Sequence, residues 1–405
     1  MKRLKKLVSN KKVIFLLFVV LALIASIQSL LSGTKSYFEG GTEYLVYNNY
    51  TIFKHSFFHL LEGKDLYAHY PSEHWDLFKY SPAFSVFFGL FAMFPDFIGL
   101  NLWNLLNSTI VFLSIFYLPR LSYTQKGLIA IVCIIELMTS LQNAQSNALI
   151  AGLIILSFGL LERNKYLFAS LCIVFSIFIK LFGIVALAIF IFYPKKWKLA
   201  LYTLGWSLVF FIMPLFIVDI YQFKFLYESW WNMLVSDHSA SFGYSVMGII
   251  QTWFNLEFNK IIVVLSGAAI FLLPMLRFQH YKNYSFRLSG MASVLLWVVI
   301  FNHKAESPTF VIAMAGVAIW FIYSKKSIIN ISLFILAILL TSLSPTDIFP
   351  RFIRNEYIHP YALKALPCIL IWCKIITDMF LMKSEELSIK TFAPAQPELK
   401  EVKPG

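Results

Sequence analysis

Charge is scarce in this chain. Of its 405 residues 14% are charged and 59% hydrophobic, with a mean hydropathy of +0.71, whereas soluble domains carry roughly 25% charged residues. That scarcity excludes an ordinary soluble domain. It predicts a single integral membrane domain over 1–382, followed at 383–405 by a tail without apolar periodicity that is expected to be disordered and cytoplasmic. Cysteine is scarce too: Cys133, Cys172, Cys368 and Cys373 lie inside apolar runs without a CxxC spacing and read as small buried hydrophobes. GxGxxG, Walker A, GxSxG and heptad patterns are absent, which argues against cytosolic nucleotide chemistry. No HExxH or comparable ligand spacing occurs, so no metal and no cofactor is expected. No repeat of fixed period stands out.

What is present in excess is basic charge, 34 Lys and Arg against 21 Asp and Glu, for a net +13. These residues sit in short clusters between apolar runs, a topology signal and not a nucleic-acid footprint. MKRLKKLVSNKK places six of them before the first span and predicts a cytoplasmic amino terminus. Val13 to Leu31 follows, 19 residues without an A-x-A-like cleavage site, and reads as a retained anchor. Pro82 to Phe94 is too short to cross and predicts a re-entrant or interfacial helix before a full-length run from Gly99 to Leu118. Ten further runs, 127–141, 147–161, 166–179, 181–193, 199–218, 261–276, 288–301, 308–323, 328–343 and 361–382, complete an all-α polytopic bundle of about twelve transmembrane helices, with eleven to thirteen within range. Threaded this way, nearly every basic cluster and both termini face inward. The long aromatic-rich loops, 32–81 above all, then face outward from a multi-pass cell membrane protein.

The outward side collects the chemistry. The first loop holds His55, His59, His69 and His74 with Glu62, Asp65, Glu73 and Asp76 among many aromatic rings, a density that suits a pocket. Lys180 lies in LFASLCIVFSIFIKLFGIVALAIFIFYP, where a central lysine costs about 2.5 to 3.5 kcal/mol; it reads either as a snorkelling residue or as a cation for an anionic lipid phosphate. Glu136, inside the third span, reads as a structural partner of a buried polar group or as a protonated acid. Glu39 and Glu43 flank Gly40 and Gly41 just beyond the first span, where a carboxylate can act as general base toward a sugar, or else be an ordinary solvated loop acid. The amides Gln142, Asn143, Gln145 and Asn147 suit sugar hydroxyls and equally suit helix capping. His303, Lys304 and Glu306 offer polar substrate contacts. DHSASFGYSVMG, residues 237–248, reads as a mobile flap or a plain loop. Arg351 and Arg354 are outward arginines able to grip a phosphate or to lie at the interface.

At Gly63-Lys64-Asp65-Leu66-Tyr67, Tyr80-Ser81-Pro82, Trp103 with Asn107, Gln145-Ser146-Asn147 and Lys180, the chain resembles glycosyltransferase family 87. These are multi-spanning GT-C enzymes related to polyprenol-phosphate-mannose-dependent mannosyltransferases. The resemblance runs through roughly the first half of the chain, and the order and spacing of the motifs carry it. It implies inverting transfer of a mannose-like hexose or a pentose from a polyprenyl-phosphate donor to a lipid or glycan acceptor at the outer membrane face. No nucleic acid is involved. Under this reading Lys180, Arg351 and Arg354 hold donor phosphate, a carboxylate is the base, and Asn49, Tyr67, Gln145, Asn147 and His303 contact sugar or acceptor. The chain departs from the family pattern twice. Asn49 stands where an aspartate is common, and Leu181 follows the lysine in place of proline. An amide cannot accept the acceptor's proton, so Glu43 or Glu39, or a distant acid such as Glu306, takes that role, or activity is lost. The rival reading is a lipid or solute transporter or flippase, which would carry several intramembrane charges in both halves and broken helices; a catalytically silent family member is the third.

Overall fold

The computed structural model describes residues 2–37, 41–236 and 242–382, and 74% of the described residues are helical. Glu39, Asp237, His238 and the tail after Met382 lie outside the described residues. The first half comprises α1 (Lys2–Ser9), α2 (Lys11–Leu31), α3 (Asn48–Leu61), α4 (Pro82–Ala92), α5 (Asp96–Tyr117), α6 (Tyr123–Gln142), α7 (Asn147–Leu161) and α8 (Tyr166–Ile179). A 3₁₀ segment, Leu181–Phe192, leads into α9 (Lys196–Ile212), α10 (Ile220–Ser236), α11 (Val246–Phe254), α12 (Lys260–Leu272), α13 (Tyr284–Ile300), α14 (Phe310–Tyr323), α15 (Ile328–Leu336), the single turn α16 (Arg351–Ile353) and α17 (Leu366–Leu381). Between α2 and α3, strands β1 (Thr34–Ser36) and β2 (Glu43–Leu45) pair antiparallel, Lys35 opposite Tyr44.

Local chemistry sets the boundaries. Asn10 caps α2 by accepting from the Lys12 and Val13 amides, Ser81 caps α4 with Pro82 in its first turn, and Ser122 with Gln125 forms a capping box on α6. Each of the twelve apolar runs is helical over most of its length, the last of them only from Leu366. By length and composition, however, four helical stretches suffice to cross a membrane, Lys11–Leu31, Asp96–Tyr117, Tyr123–Gln142 and Lys196–Phe216. The other apolar helices are shorter than the ~20 residues a perpendicular crossing needs. Pro82–Ala92, at 11 residues, is among them, in line with a helix that enters without crossing.

Packing explains why some short helices are so apolar. In α7 fourteen of the fifteen residues are buried, so it is hydrophobic all round because it is the centre of the bundle, enclosed by α5, α8 and α14. In contrast α9 exposes Leu201, Leu204 and Leu208, an apolar outer surface that suits lipid. The buried acid Glu136 has a definite partner that its sequence neighbourhood did not name. Lys364 Nζ lies 2.8 Å from Glu136 Oε1 and 2.9 Å from Ser307 Oγ, with side chains 1% and 0% exposed for the lysine and the glutamate.

Candidate active site

Lys180 sits at the tip of a helical hairpin. The α8 helix stops at Ile179, Lys180 is extended with φ −141° and ψ 129°, and the 3₁₀ segment begins at Leu181. The return is tight: a Cβ on Gly183 would lie 2.7 Å from the Ser176 carbonyl, so glycine is required there. Lys180 Nζ donates to Gln145 Oε1 at 3.1 Å and Asn147 Oδ1 at 3.0 Å, and it lies 5.3 Å from the Tyr80 ring centroid. Both hydrogen-bond acceptors are neutral, so they orient the ammonium without neutralising it.

The residues around it form one connected network. The amide-rich turn after α6 carries Ala144 at φ 49° and is clamped from three helices. Trp103 Nε1 of α5 donates to the Ala144 carbonyl at 2.9 Å, Asn107 Oδ1 accepts from the Leu149 amide at 2.9 Å, Asn49 Nδ2 of α3 donates to the Asn143 carbonyl at 2.9 Å, and Ser29 Oγ of α2 donates to the Gln142 carbonyl at 3.3 Å. Ser146 Oγ donates to the Tyr80 hydroxyl at 3.2 Å, and Tyr67 donates its hydroxyl to the Tyr80 carbonyl at 2.9 Å. Ser81 Oγ bonds the Phe178 carbonyl, two residues before the lysine. Burial pushes the Tyr80 phenol well up, which keeps it neutral.

Of the two described acids proposed from sequence as bases, Glu43 and Glu306, it is Glu306 whose charge acts on Lys180, and on Tyr80 and Tyr37 as well. It caps the turn Ser307–Thr309 and lines a cleft of about 390 Å³ with Tyr244, Thr252 and His359. That cleft is built because the Tyr244 amide bonds the Ala305 carbonyl at 2.9 Å, which brings the end of the 237–248 loop against the 302–307 loop. His303 is in the same loop, partly buried beside Gly243. Glu43 is on β2, where its carboxylate accepts from Thr34 Oγ1 at 2.5 Å at an exposed position.

Three sequence expectations change in detail. Tyr67 is buried with its hydroxyl committed to Tyr80, and the Asn49 amide holds the Asn143 turn, so both position other site residues. Arg354 donates to Asp347 at 2.9 Å and to the Pro345 carbonyl at 3.3 Å, while Arg351 is exposed; Arg354 does lie within electrostatic reach of the cleft residue His359. Lys79, Asp76 and Tyr37, none of them singled out by a motif, also belong to this neighbourhood. Lys79 is within reach of Lys180 and pairs with Asp76 at 3.0 Å; Asp76 in turn acts on Tyr37 and Tyr80. Tyr37 stacks on Trp75 with ring centroids 5.2 Å apart, its phenol pushed up by burial first and then by Asp76 and Glu306. Lys79 adjoins Tyr80-Ser81-Pro82, the one signal that pointed to it.

The family model of glycosyltransferase family 87 matches residues 78–345. The chain belongs to glycosyltransferase family 87. The matched stretch of this glycosyltransferase carries Tyr80, the 145–147 turn, Lys180 and Glu306, while Ser29, Asn49 and Tyr67 of the same network precede it. No curated protein matches the chain.

Proposed function

We propose that this family 87 protein transfers a sugar, a mannose-like hexose or a pentose, from a polyprenyl-phosphate donor to a lipid or glycan acceptor at the outer membrane face, with inversion. The observation that carries the reading is the pairing of a partly buried cation on neutral acceptors with a carboxylate within reach. Lys180 holds the donor phosphate, and Gln145 and Asn147 aim its ammonium. Glu306 accepts the acceptor's proton as the sugar carbon moves from phosphate oxygen to acceptor oxygen, and the phosphate leaves as the polyprenyl monophosphate. Lys79 adds positive charge beside the leaving group. The lining of the Glu306 cleft, with Tyr244, Thr252 and His359, supplies hydrogen-bonding groups for sugar or acceptor. Arg354 and Arg351 are peripheral phosphate contacts in this scheme, and His303 contacts the acceptor side.

Glu306 is preferred over Glu43 because it shares the field of Lys180 and Tyr80, and because Glu43 is spent on Thr34 at an exposed strand. The substitution of aspartate by Asn49 then removes no base, since the Asn49 amide serves the turn that holds the lysine's acceptors. The buried Lys364–Glu136 pair, with Ser307 also on the lysine, serves here as a structural contact between two parts of the bundle. The test is purified protein given radiolabelled polyprenyl-phosphate sugars and membrane-lipid acceptors. Labelled product that requires Lys180 and Glu306 supports the reading, and movement of donor across proteoliposomes without covalent product contradicts it.

A further inference from the structure

A second cluster lies ahead of the family-matched region. On α3, His55 and His59 are four residues apart and therefore on one helix face. Glu73 returns to that face from the following loop, its Oε2 3.0 Å from His55 Nδ1 and 2.8 Å from His59 Nε2. One ligand atom from each of the three lies within 4.8 Å of the others. His59 is 2% exposed, and its Nε2 and Glu73 Oε2 face each other as an imidazole–carboxylate pair, with no partner outside the cluster on either atom. Both imidazoles thus turn a ring nitrogen toward one carboxylate oxygen, the convergence of donor atoms that a shared cation would use.

We propose that His55, His59 and Glu73 form a binding site for a divalent cation of the zinc type that staples the first long loop to α3. Two imidazoles and one carboxylate are a donor set that zinc takes in tetrahedral geometry, with a fourth position left for water or another side chain. His74 stands at the edge of the cluster, its ring centroid 6.1 Å from His55, buried and with its Nδ1 lacking a hydrogen-bond partner. It is placed to supply the fourth ligand, as a third imidazole.

The position gives the ion a purpose. The segment from Glu73 runs directly into Trp75, Asp76, Lys79 and Tyr80, and the Trp75 amide donates to Asn48 Oδ1 at the start of α3 at 3.0 Å. A cation at Glu73 therefore fixes the same segment a second time, closer to its turn. The site is distinct from the sugar-transfer centre and stands or falls separately from it.

The experiment uses full-length protein purified in detergent without a polyhistidine tag, stripped with EDTA and exchanged into buffer at pH 7.5. Zinc chloride is titrated by calorimetry, and cobalt chloride is titrated separately with visible absorption recorded. The expected result is one equivalent of zinc per chain and a tetrahedral cobalt spectrum in the unaltered protein. His59→Gln and Glu73→Gln each weaken zinc binding by at least about 100-fold, on the scale set by losses from even outer-sphere ligand supports, while His69→Gln, at an exposed histidine off the cluster, binds as the wild type does. Absence of stoichiometric zinc and of the cobalt bands in the unaltered protein overturns the proposal without reliance on any variant's folding. Equal loss in His69→Gln overturns it as well.

Discussion

Lys180 is held by two amide oxygens and, among the described residues, by no carboxylate, an arrangement that orients its charge for something that arrives. Lys180→Ala is expected to lower transfer by about 10²–10³-fold, the loss typical of removing one preorganised charge donor, with unchanged elution and thermal unfolding of the detergent-solubilised protein. Glu306→Gln keeps the shape of the turn cap and removes the base; a fall of about 10²–10⁴-fold in turnover follows, whereas Glu43→Gln stays within a few-fold of wild type. Initial rates under saturating donor distinguish the two acids. At His74 burial lowers the imidazole to about 4, below its ordinary value near 6.5. The unfolded chain then binds more protons than the native one between those values. The stability that neutral His74 contributes is complete above about pH 6.5 and is lost as pH falls toward 4. Thermal midpoints in metal-free buffer should drop between pH 7.5 and pH 5, and His74→Leu should flatten that dependence.

At the scale of elements, the turn after α6 and the α8 hairpin are the parts that must keep their shape. Trp103→Phe removes the bond to Ala144 and leaves that buried carbonyl unpaired, at a cost of about 1–3 kcal/mol; the turn loosens and donor KM rises more than kcat falls. Gly183→Val forces a side chain into the Ser176 backbone, and a lowered thermal midpoint, equivalent to about 1–3 kcal/mol, is the expected reading. These elements also show what the sequence could convey. The break at Lys180 was legible because one lysine interrupts an apolar stretch, and Tyr80-Ser81-Pro82 announced a cap because Ser and Pro have fixed roles at helix starts. That the charge of Glu306 acts on Lys180 was not legible, since 126 residues separate them in the numbering and the tertiary fold brings them into one field. The same holds for Asn49 and Tyr67, whose polar groups looked available and are spent on backbone carbonyls. The His55, His59 and Glu73 convergence was hidden because the third ligand arrives from a loop.

At the scale of the whole molecule, the two halves are joined by the buried contact between Lys364 near α17 and Glu136 on α6. Sequence had marked Glu136 as costly and left its partner open, because Lys364 sits inside an apolar run where its reach depends on packing. Lys364→Met alone strands a buried carboxylate and is expected to cost about 3–5 kcal/mol, while Lys364→Met with Glu136→Leu recovers most of it; unfolding midpoints of the single and double variants measure this. The membrane character followed from composition alone, whereas the number of crossings did not, because many of the buried helices are apolar for the sake of the bundle interior and too short to decide by length.

The central claim is that one cation and one acid at the same end of this bundle transfer sugar from a lipid phosphate. It is tested most directly by measuring labelled product from a radiolabelled polyprenyl-phosphate sugar with wild-type, Lys180→Ala and Glu306→Gln protein side by side. The account predicts product with the wild type and near-complete loss in both variants at unchanged thermal stability. Product formed equally well without Lys180 and Glu306 would contradict it.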